Sequence, residues 1–296
     1  MANPMPAAEI DVTPELVHAL LADQHPDLAN LPLRLVGEGW DNVMFRLGEE
    51  YSVRVPRREM AAPLVVHEQT WLPQLAARLP LPIPAPLRVG VPALGYPWHW
   101  SVLPWFDGEI AELATLRDPY EAATSLGWFL RELNQPASEG YPHNPYRAVP
   151  LVTRHDATAE RIAQLANEFD ASALSRVWDG LCATAVYEGP PLWIHGDLHP
   201  ANVVVREGVI AAVIDFGDIS AGDRAVDLAG GIMLFEPGPL EVFREAAAAG
   251  EDDNLWRRAY GWALVHSLAC ITNSADNPTI NAIGRRTLAA VLRDCS

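Results

Sequence analysis

Ile194-His195-Gly196-Asp197-Leu198-His199-Pro200-Ala201-Asn202 leads through a valine-rich segment into Ile214-Asp215-Phe216-Gly217-Asp218. Between the two, VVV and VIAAVI flank Arg206-Glu207-Gly208, the pattern of two strands around a turn. The strands of a hairpin are antiparallel, so Asn202 at its entry and Asp215 at its exit fall side by side. Oxygen-only ligation that includes one carboxylate suits Mg²⁺, which keeps waters and takes the rest of its shell from nucleotide phosphates. Asp197, five residues before Asn202 on a tight Gly-containing loop, is placed to reach a substrate hydroxyl beside that cation. The set outlines a phosphoryl-transfer site.

Upstream, Thr13-Pro14 opens a helix over 13–24, and β-rich runs at Leu33–Val36, Val43–Leu47 and Tyr51–Val55 read as an antiparallel meander. Apolar residues at three- and four-residue intervals over Pro63–Leu79 predict an amphipathic helix, which Pro73 bends or shortens. The Pro-rich stretch after it is extended chain around short strands and ends in the apolar run Trp98–Leu103. From Gly108 the texture turns helical, with segments at 119–134, 156–168, 172–187, 224–235, 239–249, 254–272 and 280–293; the clear β signal there is the 202–215 hairpin. The expectation is a two-lobed α+β protein. Residues 1–103 form a small lobe with an antiparallel sheet, 104–108 a hinge, and 109–296 a larger, mainly helical lobe.

Protein kinases join an H-R-D-x-x-x-x-N loop to a D-F-G metal site. The interval from Asp197 to Asn202 is the same, and HGDLHPAN followed by IDFGD resembles the aminoglycoside phosphotransferase family of antibiotic and related small-molecule kinases, which have a protein-kinase-like fold. The resemblance covers most of the chain. It implies Asp197 as catalytic base, Asn202 and Asp215 as Mg²⁺ ligands, and His195 as support for the loop. His199 receives no role from it and reads as structural.

On the nucleotide side, Gly37-Glu38-Gly39-Trp40-Asp41-Asn42 lies where a kinase covers its phosphates, which makes Gly39 and Asn42 candidates; on its own residues the segment also reads as an ordinary hairpin turn. Arg54 occupies the third-strand place of the phosphate-pairing lysine, and Glu68 matches the helix glutamate that orients it. The departure is systematic, since all 21 basic residues are arginine. An Arg keeps the charge but presents a planar fork of different geometry. Backbone groups near Pro104 and Phe106 would meet the base edge, Pro104 only as acceptor. In Gly222-Asp223-Arg224-Ala225-Val226-Asp227, Asp227 is expected to brace the catalytic loop, and Asp223 either to brace or to cap.

With 38 acidic against 21 basic residues the formal charge is −17. Such a balance disfavours nucleic acid and attracts a cationic acceptor at long range. Cys182, Cys270 and Cys295 lack disulfide or zinc spacing. The opening MANPMPAAEI shows no leader pattern, and no run approaches the roughly 18 apolar residues of a membrane span. A cytoplasmic setting is expected. The expected reaction carries the γ-phosphate of ATP or GTP to a hydroxyl of an antibiotic, aminoglycoside-like first. The alternatives are a macrolide kinase, a metabolic kinase for an amino alcohol or sugar, or a nucleotide-binding pseudokinase that recruits partners.

Overall fold

Strands form where valines and aromatics alternate with polar residues. In β2 (Asn42–Leu47) and β3 (Tyr51–Pro56), Phe45 pairs across to Val53 and Val43 to Val55. Period-2 alternation sends these to one face, where they close with Trp100 and Val102 against Val17, Leu20 and Leu21 of helix α1 (Pro14–Gln24). The opposite face carries Met44 and Arg54, paired with each other. The computed structural model describes residues 7–250 and 252–295, so the first six residues of MANPMPAAEI lie outside the described residues.

The complete sheet runs β1-β2-β3-β5-β4, antiparallel throughout, with β1 at Leu33–Glu38, β4 at Arg88–Gly90 and β5 at Trp100–Pro104. Gly90 is required by packing: a Cβ there would stand 1.9 Å from the buried Trp100 ring. Thr13 caps α1, its Oγ1 accepting from the Leu16 amide, with Pro14 at the first helical position. Helix α2 (Ala62–Ala76) passes through Pro73 without a break, so that residue sacrifices one helix hydrogen bond and does not end the element. Its Leu72 and Leu75 join the core of the second lobe, and its Trp71 meets Trp193 with ring centroids 4.9 Å apart.

The second lobe is built around α8 (Asp253–Thr272), whose Trp262, Ala263, Leu264 and Leu268 are fully buried between α6 (Ala225–Leu234) and α9 (Pro278–Cys295). Helix α3 (Pro119–Leu133), capped by Asp118, packs on α7 (Pro237–Ala248). Helices α4 (His155–Gln164) and α5 (Ala171–Cys182) stop four and five residues earlier than their patterns suggest. The Leu165 amide divides itself between the Arg161 and Ile162 carbonyls, tightening the end of α4. After α5 the chain turns through Gly189-Pro190-Pro191, which cannot extend a helix.

The hairpin consists of β8 (Val203–Arg206) and β9 (Val209–Val213), with Val203 opposite Val213. Three further short strands accompany it: β6 (Glu109–Ile110) on β8, and β7 (Leu192–Ile194) paired with β10 (Ser220–Gly222). At two or three residues each they carry no readable alternation, so the sequence pattern showed only the hairpin. Among the described residues no helix is long and apolar enough to cross a membrane.

Candidate active site

Strand β7 delivers His195, Gly196 and Asp197 to the cleft, and a buried carboxylate fixes the turn. Asp227 on α6 accepts from the His195 amide (2.9 Å), the Gly196 amide (2.9 Å) and the Asn134 side chain (3.0 Å). Burial pushes its carboxyl up, while His195 and the two amides pull it down. Gly196 has φ +86°, and a Cβ there would approach the Asp218 carbonyl to 2.6 Å, so only glycine brings these two loops together. The His195 ring spans them: Nδ1 accepts from the Asp197 amide at 3.2 Å, and Nε2 therefore carries the proton toward the Ile214 carbonyl at 2.9 Å.

The hairpin brings the two oxygen donors together. The Ile214 amide donates to the Asn202 carbonyl at 2.9 Å, which puts Asp215 beside Asn202. Asn202 is buried, and its Nδ2 donates to the Asp197 carbonyl at 2.9 Å, so Oδ1 is the side-chain atom left for a cation. Asp215 sits in the left-handed region at φ +63°, with its side chain 55% exposed to the cleft. Among the described residues no three His, Cys, Asp or Glu side chains form a metal cluster. The donor set is one amide oxygen and one carboxylate, which fits Mg²⁺ completing its shell with phosphate and water.

Asp197 is held from the far side of the cleft. Its Oδ1 receives Arg147 Nη2 at 2.8 Å, while Arg147 Nε donates to Asp218 at 2.9 Å. The His199 Nδ1 accepts from the Ala201 amide, and its Nε2 lies between Asn202 Nδ2 at 3.3 Å and Asp197 Oδ2 at 3.6 Å. Burial would raise the Asp197 carboxyl, but Arg147, with His199 beside it, outweighs burial and holds it well below the ordinary carboxylate range.

Arg54 closes the nucleotide side. Nη1 donates to Glu68 at 2.6 Å and Nη2 to Asp215 at 3.2 Å. With its amide turned to present oxygen, Asn42 accepts from Nη2 at 3.0 Å and Nε at 3.1 Å. Four of the five N–H groups of a guanidinium are thus engaged, and one on Nη1 is left over. Burial outweighs the pull of Arg54 and pushes the Glu68 carboxyl up to about 7.

Asn42 is thus spent on Arg54. Gly39 closes its own turn, its amide donating to the Asn42 carbonyl at 2.8 Å and its carbonyl accepting from Arg57. Pro104 ends β5 opposite Tyr51, and the next residue, Trp105, donates its amide to the Glu50 carbonyl and stacks under Arg46 at 4.7 Å. Phe106 follows, half-buried. Asp223 takes the helix-start job, accepting from the Ala225 amide, and pairs with Arg258 of α8 at 2.7 Å, with no contact to the catalytic loop among the described residues.

A model of the phosphotransferase enzyme family matches residues 32–262, from the first strand to the middle of α8. The chain belongs to this family. Among solved structures it is similar to a GDP complex of aminoglycoside 2'-phosphotransferase-IIIa, at 18% identity and TM-score 0.69, covering 94% of this chain and 98% of that one. A second is the ternary complex of streptomycin, ATP and APH(2")-IIa (17%, TM-score 0.62, 90% and 92% covered). A third is a macrolide 2'-phosphotransferase from Brachybacterium faecium (22%, TM-score 0.61, 94% and 97% covered). The fold is protein-kinase-like. No curated protein matches the chain.

Several residues that shape this phosphotransferase's cleft carry no sequence signal. Arg147 stands 50 positions before Asp197 in the loop Pro145-Tyr146-Arg147-Ala148. His266 lies inside α8 among Ala and Leu and looks like a core residue. His199 and Asp218 stand within the quoted motifs, but only folding reveals that both meet the Arg147–Asp197 pair.

Proposed function

We propose that the chain moves the γ-phosphate of ATP or GTP onto a hydroxyl of a small-molecule acceptor. The observation that carries this reading is the convergence of Asp197, Asn202, Asp215 and Arg54 on one cleft between the lobes. Residues 1–103 would hold the nucleotide, 104–108 would act as hinge, with backbone groups of Pro104 and Phe106 at the base edge, and 109–296 would hold the acceptor in a cytoplasmic setting.

Oδ1 of Asp197 is occupied by Arg147, so Oδ2 is the oxygen that orients the acceptor hydroxyl and takes its proton. The hydroxyl oxygen bonds to the γ-phosphorus as the bond from that phosphorus to the β,γ-bridging oxygen breaks, and the nucleoside diphosphate leaves. A carboxylate held at low pKa is a weak base, which suits a loose transition state where positioning supplies most of the effect. Mg²⁺, held by Asn202 Oδ1 and Asp215, would supply charge neutralisation on the phosphates. Arg54 fixes the Asp215 carboxylate and offers its remaining N–H to a phosphate oxygen. Asp227 and His195 keep the loop in register.

The names of the similar structures make antibiotic alcohols the first acceptors to try. The net charge favours an aminoglycoside-like polycation at long range, yet the guanidinium beside Asp197 favours a less cationic alcohol, macrolide or metabolite. The test incubates the full chain with ATP or GTP and Mg²⁺ across aminoglycosides, macrolides, amino alcohols and sugars. Mass spectrometry should find a gain of about 80 daltons, as phosphoryl transfer requires, in one class. If none gains that mass, the pseudokinase alternative takes its place.

A further inference from the structure

Behind the Arg147–Asp197 pair, the acceptor side holds two more arginines. Arg154 directly precedes α4, and Arg161 lies two turns on, so with Thr158 they share one helix face. Thr158 is buried, and its Oγ1 donates back to the Arg154 carbonyl. Helix α4 packs on α8, whose His266 and Cys270 are one turn apart. Both arginines lie within electrostatic reach of Arg147, Arg161 also of Cys270, and Cys270 in turn of Asp197.

None of the described acids forms an ion pair with Arg154 or Arg161. Arg154 has only the Tyr146 ring beneath it, at 5.6 Å, and its buried Nε has no partner. His266 is 4% exposed, neither ring nitrogen has a hydrogen-bond partner, and it is surrounded by Arg147, Asp197, His199 and Arg154. Burial and Arg147 push its imidazole down to about 3, so it is neutral at working pH. Burial, then Arg147, also lowers Arg154; burial, then Arg154, lowers Arg161. Like charges drawn together in a partly dry site, with only the adjacent Glu160 carboxylate acting on Arg161 and no ion pair on either guanidinium, are unfavourable until an anion arrives.

We propose that Arg154 and Arg161, with His266 as a buried hydrogen-bonding floor, bind a carboxylate or phosphate group carried by the acceptor and so set its hydroxyl at Asp197. This rests on the phosphotransfer reading above and replaces a polycationic acceptor by an anionic one. A carboxylate would take bidentate N–H pairs from either arginine, and a phosphate would span both.

The experiment uses the full chain saturated with ADP and Mg²⁺, titrated with inorganic sulfate against chloride at matched ionic strength and followed by thermal midpoint. Sulfate should stabilise the wild type. In R154Q/R161Q its apparent Kd should rise at least tenfold with ADP affinity unchanged, and R154K/R161K should recover part of the loss, since the charge returns but the forked donor pair does not. D197N removes a neighbouring negative charge and releases Arg147, so sulfate should bind about threefold tighter. The same midpoint with sulfate as with chloride, equal sulfate affinity in R154Q/R161Q, or indifference to D197N would each overturn the anion site. An acceptor found by mass spectrometry whose KM does not move in R154Q/R161Q overturns its assignment to the acceptor. Absence of any product, with the sulfate responses intact, would instead strike at the phosphotransfer reading.

Discussion

The two sides of the cleft reach Asp197 and Asp215 by different constructions. On the nucleotide side, Arg54 is wedged among Glu68, Asp215 and Asn42, each charge answered by a neighbour and every partner drawn from a recognisable motif. On the acceptor side, Arg147 is answered by Asp197 and Asp218, but among the described residues neither Arg154 nor Arg161 forms an ion pair. An incoming group would therefore meet guanidinium groups without an ion pair at Arg154 and Arg161 and not at Arg54.

The largest expected effect falls where the two sides meet. Asp197→Asn should lower turnover by about 10²–10⁴-fold, the range of a lost general base, with ADP affinity within about twofold by titration. A comparable loss of nucleotide affinity would mean that the two sides are not separable. Next, Arg54→Ala strands Glu68, whose side chain is 3% exposed, so urea unfolding should show a loss of about 3–5 kcal/mol, as for other broken buried pairs. Arg54→Met combined with Glu68→Leu should recover much of it. If Arg54→Ala is neutral, the nucleotide side is not the closed network described.

What could be read beforehand follows the same division. HGDLHPAN and IDFGD lie close enough in the chain for one hairpin to unite them, so Asn202 and Asp215 could be placed side by side from spacing alone. Arg147 could not be found that way, because a Pro-rich loop with one arginine carries no periodicity and its partner lies 50 residues on. Asn42 can be named as a candidate from the GEGWDN segment, but nothing in that segment shows that its amide serves Arg54. The two- and three-residue strands β6, β7 and β10 were missed because tertiary pairing, not local pattern, makes them.

The smallest effect tests the acceptor side through pH. Asp197 has its folded pKa depressed, so the stability it contributes is fully present above the ordinary carboxylate range near pH 3.9 and lost as pH falls through the folded value. Arg147→Met removes the chief cause of the depression and leaves burial, which raises the pKa. The acid limb of kcat/KM should move to higher pH, while ADP affinity stays flat. An unmoved limb would show that Arg147 does not set the charge state of Asp197.

The Trp71–Trp193 contact has a practical consequence. One indole rides on the helix that carries Glu68, the other on the strand that leads into His195, so a shift of that helix against the catalytic loop would change the packing of rings now 4.9 Å apart. The molecule therefore contains its own optical gauge: the difference in intrinsic emission between wild type and Trp71→Phe isolates this pair from the other eight of ten tryptophans, and it should change as nucleotide and acceptor are added.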